Sequence, residues 1–295
     1  PVKAEETKRT ACNGNDQNRR KDMKIISFNV KAGGVGKSTL CFNTACLLAE
    51  KGYRVLALGT DTNMNLTKRF VGYYARKHGL SQEQLLSEIK PENTVEMLFQ
   101  GLPFAPIKIA DNIDLIAETT TLYGLKKIVE PSLIYWYWDN EDFLKENYDY
   151  ILIDTHNDDE IPTRATYAVS DIIAVVVDET NKTYDIIPVM RQNLAEIKNK
   201  NRDRNGSLVN AKIVLLGNRL NTQSELGKRM INKLNKIRRE VPDACAGYIE
   251  ERTAVKKAEE LYLPLTEFKK KEKLTASLER FYRETERTLL RLVDM

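Results

Sequence analysis

Apolar and polar positions alternate along this chain in blocks rather than singly. Short apolar runs, Ile25-Ile26-Ser27-Phe28, Val55-Leu56-Ala57-Leu58, Tyr150-Ile151-Leu152-Ile153 and Ala211 to Gly217, are separated by longer stretches in which apolar residues recur every three or four positions. Continuous runs of that length predict strands buried on both faces, and the spaced pattern predicts helices that cover them. Thr39-Leu40 opens one such helix, with Leu40, Thr44, Leu47 and Leu48 on one side. Ser224 to Glu240 predicts another, with Leu226, Met230, Leu234 and Ile237 toward the core. Leu274, Leu278, Phe281, Leu289, Leu292 and Val293, with Thr285 in the gap, predict a closing helix. Strands alternating with helices throughout imply an α/β fold: a doubly wound, mostly parallel twisted sheet flanked by helices, with any ligand at the C-terminal ends of the strands.

Candidate chemistry appears where the first strand meets the first helix. Between them lies Val30-Lys31-Ala32-Gly33-Gly34-Val35-Gly36-Lys37-Ser38-Thr39. A nucleoside triphosphate needs backbone N–H groups within hydrogen-bonding distance, and side chains at Gly33, Gly34 and Gly36 would block that approach. In such a loop Lys37 reaches the outer phosphates, the Ser38 hydroxyl is placed for Mg²⁺, and the helix N-terminus adds partial positive charge. Gly33, Gly34, Val35, Gly36, Lys37, Ser38 and Thr39 are therefore the expected phosphate-binding set, with ATP and Mg²⁺ as the expected cofactors.

The pattern Gly33-Gly34-Val35-Gly36-Lys37-Ser38 resembles the deviant Walker A loop of the ParA/MinD family of ATPases, which partition DNA or position division machinery. Three further segments carry the resemblance. Gly59-Thr60-Asp61-Thr62-Asn63-Met64-Asn65-Leu66-Thr67 is similar to that family's D-x-D-P-Q-x-N-L-T segment, with Gly59 for the first Asp and Asp61 at the position that orients attacking water. The apolar run ending at Asp154 has the form of a Walker B strand, whose carboxylate holds Mg²⁺ together with Ser38. Asn218-Arg219 resembles the pair that contacts adenine, and Gly247 to Ala258 the segment that closes over the base. The resemblance implies catalytic roles for Lys37, Asp61 and Asp154. It also implies an ATP-dependent sandwich homodimer, non-specific DNA binding and a ParB-like centromere-binding partner. Two departures stand out. The family's second lysine, five residues before Lys37, is replaced by Ala32, with Lys31 one position early, and His156-Asn157 follow Thr155 where Pro-Pro is usual.

Composition narrows the class. The 295-residue chain is long enough for one doubly wound domain, expected over residues 23–295, while the polar residues 1–22 read as a disordered extension or a remnant foreign to the protein. No apolar run approaches the roughly 20 residues of a membrane span, and no secretory pattern is present. Cys12, Cys41, Cys46 and Cys245 form no C-x-x-C pair, which argues against an iron–sulfur carrier and for reduced thiols in the cytoplasm.

Charge bears on partners through its distribution. The net charge of +4 is modest, but basic residues gather late in the chain. Lys228, Arg229, Lys233, Lys236 and Arg239 lie on the polar side of the Ser224–Glu240 helix, and Lys269, Lys270 and Lys271 precede the closing helix. Such a surface suits a phosphate backbone, and with the family resemblance it predicts nucleoid association. The closing helix raises a rival reading, attachment to anionic lipid as in MinD-like proteins, but glutamates among its arginines and its apolar stripe favour packing on its own domain. The run Tyr135-Trp136-Tyr137-Trp138 is expected to send one side into the core.

Overall fold

A computed structural model describes residues 23–30, 33–125, 128–180, 184–204 and 206–295. Lys31, Ala32 and the expected extension at residues 1–22 lie outside the described residues. Among those described, ten strands and twelve α-helices follow in order, with four short 3-10 helices between them. The strands are β1 Lys24–Asn29, β2 Val55–Gly59, β3 Ile107–Ala110, β4 Ile113–Ile116, β5 Tyr150–Asp154, β6 Ile172–Val177, β7 Arg202–Asp203, β8 Gly206–Ser207, β9 Lys212–Leu220 and β10 Cys245–Glu250. The helices are α1 Lys37–Glu50, α2 Asn65–His78, α3 Gln82–Ser87, α4 Val95–Gln100, α5 Ser132–Asp139, α6 Glu141–Asn147, α7 Ile161–Val169, α8 Ile187–Lys200, α9 Glu225–Glu240, α10 Thr253–Glu260, α11 Leu265–Phe268 and α12 Ala276–Asp294.

Eight strands form one sheet in the order β10-β9-β6-β1-β5-β2-β4-β3. All neighbours run parallel except β3, which pairs antiparallel with β4 at the edge. The doubly wound α/β expectation therefore stands, and the physical reason is visible in the strands. β2, β5 and β6 are buried at every position, as strands covered by helices on both faces must be. β1 lies between β5 and β6, so the chain leaves it where the strand order reverses, and α1 begins in the crevice that this reversal opens.

The helices depart from expectation in three instructive ways. α1 starts at Lys37, and it is buried nearly all round from Lys37 to Leu48 rather than along one side. It packs against β1, β2 and β5 and also against α2, α11 and α12, so it is a core helix. In α9, Met230 and Leu234 are buried but Leu226 is 52% exposed, contrary to the sequence expectation. Gly227 is the residue turned inward there, because a Cβ on it would lie 2.0 Å from the Asn221 carbonyl oxygen. Leu226 is one residue, about 100° of helix, off the Gly227-Met230-Leu234 stripe.

The third departure concerns α12. Leu274 lies outside the helix and is 41% exposed, while Phe281, Thr285, Leu289, Leu292 and Val293 are buried against the domain. Lys24 Nζ donates to the Val293 carbonyl at 3.1 Å, and the Lys212 ammonium donates to the carbonyl of Met295. The apolar stripe is thus consumed by the fold, not presented to lipid. No helix among the described residues is long and apolar enough to cross a membrane. The aromatic run forms α5, which buries Trp136 and leaves Tyr135 and Trp138 exposed with ring centroids 6.0 Å apart.

Candidate functional site

The loop between β1 and α1 owes its shape to its glycines. Gly36 caps α1 with φ +89°, and a Cβ there would fall 2.6 Å from Asn218 Nδ2. Only glycine satisfies both the left-handed backbone and the close approach. Gly33 and Gly34 are exposed, whereas Val35 is buried beneath them. Asn218 Nδ2 donates to the Val35 carbonyl at 2.7 Å, and the Arg219 guanidinium donates to the Gly34 carbonyl. Arg219 itself has φ +55°, a conformation that costs a non-glycine residue energy and is found where geometry is imposed. The Asn-Arg pair expected at a base thus also braces the phosphate loop, leaving its N–H groups uncommitted to these contacts.

Lys37 opens α1 almost fully buried, at 6% exposure. Its ammonium donates to Asn157 Oδ1, the residue three places beyond Asp154. Burial pushes the Lys37 pKa down, opposed by the fields of Asp154, Asp61, Asp158 and Glu118. Ser38 follows, half-buried, and the Thr39 hydroxyl is engaged by Glu259 of α10, which also pairs with Arg69 at 2.9 Å. Thr39 therefore has its backbone, not its hydroxyl, to offer a phosphate.

The carboxylates converge because β5 lies between β1 and β2. Asp154 is in register with Phe28 on one side and with Gly59 on the other, and its carbonyl accepts from Thr60 N at 2.8 Å. It is fully buried, and among the described residues neither of its carboxyl oxygens meets a hydrogen-bond partner in good geometry. Burial raises its pKa to about 6 against the attraction of Lys37 and the proximity of the Ser38 hydroxyl. A buried carboxyl left unsatisfied by the described residues, beside a serine hydroxyl and a lysine, is an arrangement that a divalent cation would complete. The donor set fits Mg²⁺: Ser38 and Asp154 would hold it, and the cation would supply charge neutralisation for a triphosphate.

Asp61 sits just past β2 at 4% exposure. Its Oδ1 accepts from the N and Nδ2 of Asn63, both at 2.9 Å, which fixes the carboxylate. His156 Nε2 lies 3.8 Å from the same oxygen, and its Nδ1 is 2.8 Å from Asp158 Oδ2. Asp158 is in turn anchored by the Thr163 hydroxyl at 2.8 Å and by Glu160 N at 3.1 Å. His156 is thus held between two acids by a chain of contacts that ends at Asp61.

Two residues here escaped sequence reasoning. Asn157 holds Lys37, and its position directly after His156, where the family has proline, was the available signal. Glu118, two residues past β4, had no signal at all: its carboxyl lies against Gly59, from a segment 59 positions away in sequence.

The basic residues divide into separate places. Lys228, Arg229, Lys233, Lys236 and Arg239 are exposed along α9, with Lys233 Nζ over the Tyr184 ring at 3.1 Å. Lys228 and Lys236 stand 3.9 and 3.8 Å from Glu225 and Glu240. Between α9 and α12 runs a cavity of about 500 Å³ lined by Arg238, Arg252 and Arg280, with Glu250 bonding the Arg252 guanidinium. Lys270 instead pairs with Glu50 at 3.1 Å, at the far end of α1. That places Lys269, Lys270 and Lys271 about 20 Å from Lys37, the length of α1.

A family description of AAA domains matches residues 23–204, more than half of the chain and all three segments that meet at Lys37. The chain belongs to this AAA domain family. Among curated relatives, an uncharacterized protein of Methanocaldococcus jannaschii is 27% identical over 259 residues, covering 83% of this chain and 92% of its own. A plasmid partition protein of Borrelia burgdorferi superposes with a TM-score of 0.62 at 22% identity, covering 85% of this chain and 100% of that one. The pNOB8 ParA bound to nonspecific DNA superposes with a TM-score of 0.63 at 22% identity, over 92% of this chain and 99% of that one. At these identities the two structures establish the fold, which is that of ParA/MinD-type ATPases.

Proposed function

We propose that this protein is a Mg²⁺-dependent ATPase that acts as a nucleotide switch in DNA partition. The observation that carries this reading is the fully buried Asp154 carboxyl, left unsatisfied among the described residues, beside the P-loop lysine and serine. In this reading Gly33 to Thr39 offer backbone donors to the phosphates and Lys37 exchanges Asn157 for phosphate oxygen. Ser38 and Asp154 hold Mg²⁺, and Asp61 orients the attacking water. In the same reading Asn218 and Arg219, which hold the Val35 and Gly34 carbonyls, also contact the base. Turnover is slow until a second copy or a partner completes the charge stabilisation, which is what a switch requires.

The exposed lysines and arginines of α9 support non-specific DNA as the surface bound, and an ATP-dependent homodimer and a ParB-like regulator complete the cycle as proposals. Burial of the α12 stripe counts against a lipid surface. The test is anisotropy of labelled duplex DNA without nucleotide, with Mg-ADP and with Mg-ATP, at two salt concentrations. Salt-sensitive binding only with Mg-ATP is expected. Binding that ignores nucleotide, or its absence, would remove DNA partition, and Lys37→Ala, which should abolish ATP affinity, separates a failed switch from a failed site.

A further inference from the structure

Gly59 ends β2 at the position in register with Asp154, so the two residues project toward the same face of the sheet. No side chain leaves Gly59, yet the space is filled. A Cβ built there would lie 2.4 Å from Glu118 Oε1 and 2.7 Å from Glu118 Cδ. The space beside Gly59 is thus occupied by a carboxyl that comes from just past the end of β4.

The Glu118 side chain is held from two directions. It is 1% exposed; Oε2 accepts from Thr67 N at 2.8 Å while Glu118 N donates to the Thr67 hydroxyl at 2.8 Å. That reciprocal pair ties the first turn of α2 to the end of β4 and leaves Oε1 buried with no partner among the described residues. A clamp on Thr67 needs one oxygen only. Among the described residues Lys37 is the buried lysine that faces Asp154, Asp61 and Glu118, with Arg69 adding its field at Asp154, and burying three carboxyls together is costly unless further positive charge arrives. Burial and the nearby Asp154 accordingly push Glu118 well above the ordinary carboxylate range.

We propose that Glu118 is an additional carboxylate of the Mg²⁺–nucleotide site, positioned over Gly59 so that Oε1 accepts a hydrogen bond from water in the metal's shell. This rests on the nucleotide site proposed above. Glu118 is a positioning residue: it acts on the metal through that water and through the field it adds beside Asp154. Outer-shell partners of this kind typically change metal affinity 10–100-fold when removed.

The experiment uses fluorescent mant-ATP bound to the full chain, titrated with Mg²⁺ from an EDTA-containing start. Glu118→Gln keeps an amide oxygen for Thr67 N but loses the charge. It should shift the Mg²⁺ midpoint upward roughly 10–100-fold while leaving metal-free mant-ATP affinity unchanged or tighter. Relocating the carboxyl, with Gly59→Asp combined with Glu118→Ala, should return the midpoint toward that of the parent. Mn²⁺ bound to the ADP complex, followed by electron paramagnetic resonance, gives the same ordering without turnover. An unchanged midpoint in a Glu118→Gln protein that melts like the parent would leave Glu118 as a clamp on α2 and overturn the inference. Failure of the unchanged protein to bind mant-ATP with or without Mg²⁺ would overturn the nucleotide site itself, and Glu118's role with it.

Discussion

Asp154→Asn should make this protein more stable when no metal or nucleotide is present. Burial raises the Asp154 pKa from the ordinary 3.8 to about 6, so the folded chain holds that proton more tightly than the unfolded chain does. Below about pH 4 the group is protonated in both states and its contribution to stability is fully present. As pH rises through about 6 the folded carboxyl must ionise in a site where burial outweighs the attraction of Lys37 and the Ser38 hydroxyl, and that contribution is lost. The difference amounts to up to about 3 kcal/mol at pH 7.5 and roughly half of that at pH 5. Asparagine has the same shape and never ionises. Urea unfolding in EDTA, compared at matched slopes, should therefore place the variant's midpoint above the parent's at pH 7.5, with the gap shrinking at pH 5. Mg-ATP should reverse the order, because only the parent gains binding energy from the metal complex. A variant midpoint equal to or below the parent's at pH 7.5 would refute the argument that Asp154 is buried at a cost the ligand offsets.

Other expectations follow from the same geometry. Asp61→Ala should keep ATP affinity within a few-fold and lose hydrolysis by roughly 10²-fold or more, since Asp61 is fixed by Asn63 away from Lys37's own hydrogen bond; normal turnover in a phosphate-release assay would remove it from the chemistry. Gly36→Ala drives a Cβ onto Asn218 in a left-handed backbone, and calorimetry should find ATP binding weakened with stability lowered by about 1–3 kcal/mol; a variant that binds normally would mean the loop is not the phosphate site. Charge reversal at Lys233 and Lys236 should weaken DNA binding and flatten the slope of log affinity against log salt by about one for each phosphate no longer neutralised. If that binding is unaltered, the Lys269 to Lys271 cluster becomes the surface to test.

Much of this molecule is decided locally and is legible in the chain itself. The phosphate loop is legible because its requirements are local: glycines that free the backbone, a lysine and a serine opening a helix, and an apolar strand before them. Asp154 is legible for the same reason, as the polar end of a strand with no alternation. Burial on both faces of the central strands likewise follows from their composition. What sequence spacing cannot carry is proximity across the sheet. Gly59 by itself reads as a lost acid, and only the order β5-β2-β4 brings Glu118 over it. Asn157 reads as loop, yet it meets Lys37; Asn218 and Arg219, expected at a base, hold the Val35 and Gly34 carbonyls. Leu226 is expected inside by its apolar character, yet the tight seat of Gly227 against Asn221 sets the rotation of α9 and turns it out. In each case the deciding partner is brought in by tertiary packing, and where two side chains meet depends on strand order and helix rotation, which local periodicity constrains only in part.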